Sequence, residues 1–219
     1  YKGHVVAAVS ANDVNTAREA AKKIIVEYEI LKPVINVDQA MDKNAPILHE
    51  DFVGDHLGEK VKNTNIATYN RYKIGDAEEA FKNCDLVIEK EVELQTVHQG
   101  YIEPHSGTAI WDEDDRVKVW TSTQGSFSNR DSVSKVLNLD VSRVKVTPME
   151  IGGGFGGKIP VYLEPIAAVL SKKSRRPVQL VMSRTDVFDA SGPAPGGKVI
   201  VKIGVNKEGK MLAGYADIR

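Results

Sequence analysis

Ile151-Gly152-Gly153-Gly154-Phe155-Gly156-Gly157-Lys158 places five glycines within six positions. Each glycine costs roughly 0.5 to 1 kcal/mol relative to alanine in regular structure, because it surrenders more backbone freedom on folding. So many together point to a loop whose backbone comes close to something else and turns N–H groups toward an anionic or oxygen-rich group. The flanks define its setting. Val144-Lys145-Val146-Thr147 reads as a strand before the loop, residues 161 to 174 as a helix after it, and Val178-Gln179-Leu180-Val181-Met182 as a further strand.

Two familiar loop chemistries can be compared with this stretch. Gly152-x-Gly154-x-x-Gly157 satisfies the dinucleotide pattern, so a dinucleotide-binding module using the glycine loop 152–157 is an alternative reading. The acid that would bind a ribose about 20 residues further on is missing, since Arg175, Arg176 and Pro177 stand there, and Pro160 separates loop from helix. Gly152, Gly157 and Lys158 also fit a phosphate loop, but Ile159 occupies the position of the magnesium-binding hydroxyl. An isoleucine cannot hold a metal, which argues against nucleotide hydrolysis.

Outward from the loop, Ser126 to Leu137 carries an apolar helical face, and Thr108–Trp111 with Val117–Trp120 reads as a hairpin across the acidic turn 112–115. Ala77 to Asn83 reads as a helix capped by Asp76, and Leu86 to Leu94 as a strand. Near the start, Val5 to Val9, a helix over 13 to 24 and Ile25 to Glu29 suggest a compact β-α-β unit ended by Lys32-Pro33. The polar, irregular stretch from about Asn36 to Ile74 reads as a connector.

With 219 residues, 42% hydrophobic and 27% charged, and 18 glycines and 9 prolines, the composition is that of a folded globular chain. The net charge of −1 provides no basic field for nucleic acid. The longest apolar runs are far short of the roughly 20 residues that cross a bilayer, so no membrane is expected. Cys84 is the single cysteine, which rules out an intrachain disulfide and a thiolate cluster within this chain and suits a cytoplasmic location. The chain opens on Tyr1 and closes just after a strand-like segment, so an internal fragment of a longer protein is expected.

Together with Trp120-Thr121-Ser122-Thr123-Gln124, the loop Gly152 to Lys158 closely resembles the molybdenum hydroxylases of the xanthine dehydrogenase and aldehyde oxidase family. Gly3 to Val9, the segment around Tyr28, Gln99 to Pro104, Arg176-Pro177-Val178 and Ser183-Arg184 agree in order, so the resemblance covers essentially the whole chain. It implies an α+β fold: residues 1–40 as the C-terminal part of an α/β hammerhead domain, 41–75 as a connector, and 76–219 as the first part of the molybdopterin-binding domain. It also implies part of a large subunit that hydroxylates an aldehyde or an aromatic heterocycle with oxygen from water. The cofactor would be molybdenum-molybdopterin, with iron–sulfur clusters and FAD on other segments or subunits, inside an oligomeric enzyme.

Residue by residue, Gln124 matches the glutamine that hydrogen-bonds an oxo ligand of molybdenum, where an amide N–H2 suits an oxygen that a carboxylate would repel. Gly154, Phe155 and Gly156 match the cofactor-facing loop, with the Phe155 ring shaping the pocket. No protein side chain would bind the metal directly. Ile159 departs from purine-oxidising members, which carry a glutamate there, and so shifts the expectation toward aldehyde or apolar aromatic substrates. No catalytic residue is expected in this segment, because the family's general-base glutamate would lie beyond Arg219, and the isolated chain is expected to be inactive. His98, Glu103 and His105 do not share one strand face and suit structural support better than a metal site, and Glu164 reads as a solvated or structural carboxylate.

Overall fold

The computed structural model describes residues 2–219. In chain order it contains α1 (Val14–Ala21), α2 (Val37–Met41), β1 (Val53–His56), β2 (Glu59–Lys62), β3 (Thr68–Tyr69), α3 (Ala77–Lys82) and β4 (Leu86–Leu94). There follow β5 (Ser106–Trp111), β6 (Val117–Thr121), α4 (Ser126–Leu137), β7 (Val144–Pro148), α5 (Glu164–Ser174), β8 (Val178–Val181), α6 (Arg184–Ala190), β9 (Gly197–Val205) and β10 (Met211–Ile218). Helices and mixed sheets together make an α+β chain. Among the described residues no helix is long and apolar enough to cross a membrane.

The elements sort into two compact units. One takes in the chain up to Tyr28 with Val97–Ala194, and the other Glu29–Thr96 with Pro195–Arg219. The boundaries at residues 40 and 75 drawn from the sequence both fall inside the second unit. The second unit is joined by long-range pairing: β4 runs antiparallel to β9 from Leu86↔Val205 to Leu94↔Gly197, across residues 97–194, which belong to the other unit.

The first unit is organised by the four-stranded sheet β7-β6-β5-β8. Its centre is the β5–β6 hairpin, closed by Asp112 to Asp115, with Asp115 at φ 56 and its carboxylate accepting from the Trp111 indole N–H at 3.0 Å. Helix α5 starts with Pro165 in its first turn, where no intrahelical N–H is needed, and lays Ala167, Ala168 and Leu170 on Ala109, Val117, Val119 and Val178. The small alanines let the helix approach the sheet closely. Helix α4 ends at Asn138 in the left-handed region, φ 53, whose N–H returns to the Ser134 and Lys135 carbonyls. Helix α1 is held at its start by the Asp13 carboxylate, which accepts from the N–H groups of Asn15 and Thr16.

The flanks of α1 differ from the expectation. Residues 5–9 and 25–29 form no strand, because nothing among the described residues pairs with them. Val5, Val6 and Ile25 are accordingly exposed.

In the second unit the stretch read as irregular holds α2 and the small sheet β2-β1-β3. The other sheet, β10-β9-β4, has two unlike faces. Glu89 and Glu91 pair with Lys202 and Lys198 on one, while Leu86, Ile88, Val92 and Leu94 share the other with Val199, Val201, Ile203 and Val205. Cys84 is a free thiol, half-buried at the end of α3.

Candidate functional site

Parallel pairing brings the two key segments together. β6 and β7 run side by side with Thr121 opposite Pro148, so the chain leaves both strands at the same edge of the sheet. Residues 122–124 continue from β6, and the glycine loop continues from β7. Open sheets commonly place ligands at such carboxyl ends.

Gln124 clasps the loop. Its main-chain N–H donates to the Lys158 carbonyl at 3.0 Å, and its side-chain Oε1 accepts from the N–H groups of Gly156 at 2.9 Å and Lys158 at 3.3 Å. With Oε1 committed inward, the Nε2 donors are the end of the amide turned away from these bonds, on an exposed side chain. The fit depends on Gly154, where an added Cβ would lie 2.5 Å from Gln124 Oε1. Gly157 is equally constrained from beneath, since a Cβ there would meet Tyr101 Cε1 at 2.7 Å.

Among the described residues, the N–H groups of Gly153, Gly154 and Phe155 make no hydrogen bond with protein. The Gly156 N–H, by contrast, is taken by Gln124. Of the loop positions singled out in the sequence, Gly154 and Phe155 therefore keep their donors available, and Gly156 serves the clasp. Phe155 sits at φ 50 with its side chain 75% exposed, and Ile159 is half-exposed just past the loop.

The loop rests on buried polar groups. Lys158 turns its side chain inward, where Nζ meets Glu103 Oε2 at 2.5 Å and lies 5.0 Å from the Tyr101 ring centroid. Glu103 Oε2 also accepts the Gly152 N–H at 2.6 Å. Burial pushes the Glu103 carboxyl up, but the Lys158 and Gly152 hydrogen bonds outweigh it and hold the group below its ordinary value. Tyr101 Oη sits 2.6 Å from His105 Nε2 and 3.1 Å from Ser191 Oγ, and burial raises its phenol. His98 accepts the Gly100 N–H on Nδ1, so its Nε2 carries the proton toward Ser191 Oγ at 2.8 Å. Arg184 ties this floor to α6 by donating to the Tyr101 and Ile102 carbonyls.

His98, Glu103 and His105 thus each serve a different partner, and among the described residues no three His, Cys, Asp or Glu side chains gather as a metal site. Glu164 is structural: 5% exposed, it accepts from Thr121 Oγ1, Asn129 Nδ2 and the Tyr162 N–H. The dinucleotide alternative does not survive the topology. β7 and β8 lie at opposite edges of the sheet, and α5 begins seven residues beyond Gly157, so the loop does not open directly into the helix that follows it, as the dinucleotide pattern requires. Lys158 is likewise unable to reach a phosphate in front of the loop. Sequence reasoning missed Tyr101, Lys158, Arg184 and Ser191; a lysine directly after the glycines was the one local signal available.

The arrangement suits a cofactor with oxygen ligands. It offers an outward amide donor and free backbone N–H groups, and at Gly154 and Gly157 the loop packs more closely than a side chain would allow. Comparison with known proteins gives the chain a family. Residues 57–219 match the family described as the molybdopterin cofactor-binding domain. The chain is 29% identical over 211 residues to the nicotinate dehydrogenase large molybdopterin subunit of Eubacterium barkeri, covering 96% of this chain and 47% of that one. It is 32% identical over 245 residues to the probable hypoxanthine oxidase XdhD of Escherichia coli strain K12, covering 100% of this chain and 25% of that one. Reconstituted CO dehydrogenase from Oligotropha carboxidovorans superposes with a TM-score of 0.81 at 26% identity, over 95% of this chain and 26% of its own. Aldehyde oxidoreductase from Desulfovibrio gigas shares the fold, with a TM-score of 0.80 at 20% identity, over 95% of this chain and 22% of its own. The chain spans less than half the length of these relatives. With its matched residues covering most of its length, this chain belongs to the molybdopterin cofactor-binding domain family, related to the xanthine dehydrogenase and aldehyde oxidase molybdenum hydroxylases.

Proposed function

We propose that this chain forms part of the molybdenum-cofactor subunit of an oxidoreductase that hydroxylates an aldehyde or an aromatic heterocycle. The observation that carries the reading is the Gln124 amide, locked by two loop N–H groups with its own donors facing outward. The chemistry supplied by a bound molybdopterin is hydroxylation of a carbon with oxygen from water, the electrons leaving through iron–sulfur and FAD centres on other segments or subunits.

This chain's own residues orient and enclose. Gln124 Nε2 would donate to an oxygen on the cofactor, and the Gly154 and Phe155 N–H groups would be available as further backbone donors. Because Oε1 is already fixed by two loop N–H groups, the Gln124 amide would need little reorganisation to donate to such an oxygen. The exposed Phe155 ring and the half-exposed Ile159 side chain supply apolar surface beside them. Isoleucine offers no hydrogen bond to a purine edge, which favours aldehydes or apolar aromatic rings. The proton-accepting glutamate and the rest of the cofactor cradle are assigned to the remainder of the large subunit.

The test is a substrate comparison on the intact protein, with molybdenum quantified. The reading expects turnover of aromatic aldehydes or simple heterocycles to exceed that of xanthine, and Gln124→Ala to lower kcat with metal retained. Turnover unchanged in Gln124→Ala would remove that residue from the reaction. Tight NADH binding lost in Gly154→Val would instead favour a nucleotide site.

A further inference from the structure

Lys158 carries several of the clamps on the glycine loop. Its N–H donates to Gln124 Oε1, its carbonyl accepts from the Gln124 N–H at 3.0 Å and the Thr123 hydroxyl at 3.2 Å, and its Nζ reaches Glu103. Glu103 holds the other end of the same loop. Its N–H donates to the Gly152 carbonyl at 3.2 Å while Oε2 accepts the Gly152 N–H at 2.6 Å. One carboxylate therefore grips residues 152 and 158, and residue 158 carries Gln124.

The charges make this grip compulsory. The Lys158 side chain is 0% exposed, so its ammonium has no water to turn to if Glu103 moves away. The pair is enclosed on its lysine side and partly open on the other, where the Glu103 side chain is 33% exposed; it contributes little net stability compared with neutral groups of the same size, and its unfavourable break is the one that leaves the enclosed ammonium alone. Such a pair suits a role in fixing geometry more than one in stabilising the fold.

We infer that Lys158 and Glu103 are positioning residues for Gln124: their ion pair sets the spacing of the two ends of the loop, and with it the direction in which the Gln124 amide presents its N–H2 group. The inference rests on the reading of Gln124 as a donor toward the cofactor, and neither residue touches the reacting atoms.

Amide hydrogen exchange resolved at Gly152, Gly156 and Lys158 tests it, with thermal melting, in the intact protein, both as purified and after cofactor removal. The variants are Lys158→Met and the double variant Glu103→Gln with Lys158→Met. Lys158→Met should speed exchange at Gly156 and Lys158 roughly tenfold or more while β5 and β6 stay protected. The double variant leaves no unpaired charge at all, neither the partly exposed carboxylate nor the enclosed ammonium, so its melting temperature should return to the wild-type value. Its loop amides should nonetheless stay fast, and kcat should fall with KM unchanged. Wild-type loop protection in the double variant, or loss of protection spread equally over loop and sheet, overturns the inference and makes the pair ordinary packing. The two readings fail separately. Wild-type protein without molybdenum but with the expected exchange pattern removes the cofactor role of Gln124 and leaves the loop mechanism standing, whereas turnover without that pattern removes the positioning role alone.

Discussion

Replacing Gly154 by alanine isolates the Gln124 clasp from the rest of the fold. The new Cβ would lie 2.5 Å from Gln124 Oε1, 2.8 Å from Cδ and 3.2 Å from Cγ. Gly154 has no positive φ, so the alanine backbone is unstrained and the contact is the whole perturbation. The part that yields is the far end of a flexible side chain, and the amide swings off the loop. Two hydrogen bonds are lost, at 2.9 and 3.3 Å, the second long enough to contribute less. At about 0.5 to 1.5 kcal/mol for each such bond, the cost is about 1 to 2 kcal/mol. For a chain of this size that is a fall in Tm of about 2 to 8 °C. Activity should fall far more, roughly 10²-fold in kcat, the usual consequence of removing a prealigned donor. Gly157→Ala is the contrast: its Cβ meets the ring of Tyr101, which is 1% exposed and cannot swing away, so overpacking of about 1 to 3 kcal/mol adds to backbone distortion. Thermal melting and turnover per bound metal, measured on both variants of the intact protein, check this. If Gly154→Ala kept full turnover, or if the two variants lost stability and kcat in the same proportion, the clasp would have no separate role.

Acid should loosen the floor beneath the loop. Burial first, then the Lys158 charge, press His105 from 6.5 to about 4, so the unfolded chain takes up this proton near pH 6.5 and the folded chain only near 4. Stability should therefore drop by at most about 3 kcal/mol as pH falls across that window and level off below it. Glu103, held below its ordinary 4.5, adds a further loss at lower pH, and urea titrations of wild type and His105→Gln should differ chiefly between pH 6.5 and 4. Glu164→Ala removes the acceptor of Asn129 Nδ2 and of the Tyr162 N–H, while the Thr121 hydroxyl can turn wholly to the Ser106 carbonyl at 3.0 Å; the cost of about 2 kcal/mol or more should register in melting, and an unchanged Tm would remove Glu164 from the frame. On the apolar face of the β10-β9-β4 sheet, Ile88 is 52% and Val92 50% exposed, so the isolated chain should bind a hydrophobic dye, and Ile88→Lys should reduce that binding without unfolding the sheet.

Local pattern carried the parts of the fold whose contacts are local. The β5–β6 hairpin, α4, β7, α5 and β8 fall within a few residues of where alternation, helical spacing and turn acids put them. The acidic turn could be read because Asp115 adopts the left-handed conformation that Asp tolerates. Pairing at a distance was not legible. β9 completes β4 from over a hundred residues away, and residues 5–9, apolar and β-branched enough to look like a strand, find no ladder partner. The same division runs through the site. Gln124 and the glycines could be named from their motifs, but the inward turn of Lys158 depends on Glu103, 55 residues earlier, and the use of the Gly156 N–H depends on Gln124, 32 residues earlier. A glycine run shows that the backbone must come close to something, and only the tertiary structure shows to what.

The most direct measurement is metal and pterin content of the intact protein, made in molybdenum-replete cells, beside the turnover of Gln124→Ala. The account predicts molybdenum and pterin near one per subunit in both proteins, with kcat lowered roughly 10²-fold in the variant. Wild-type protein that folds and carries neither molybdenum nor pterin would contradict it.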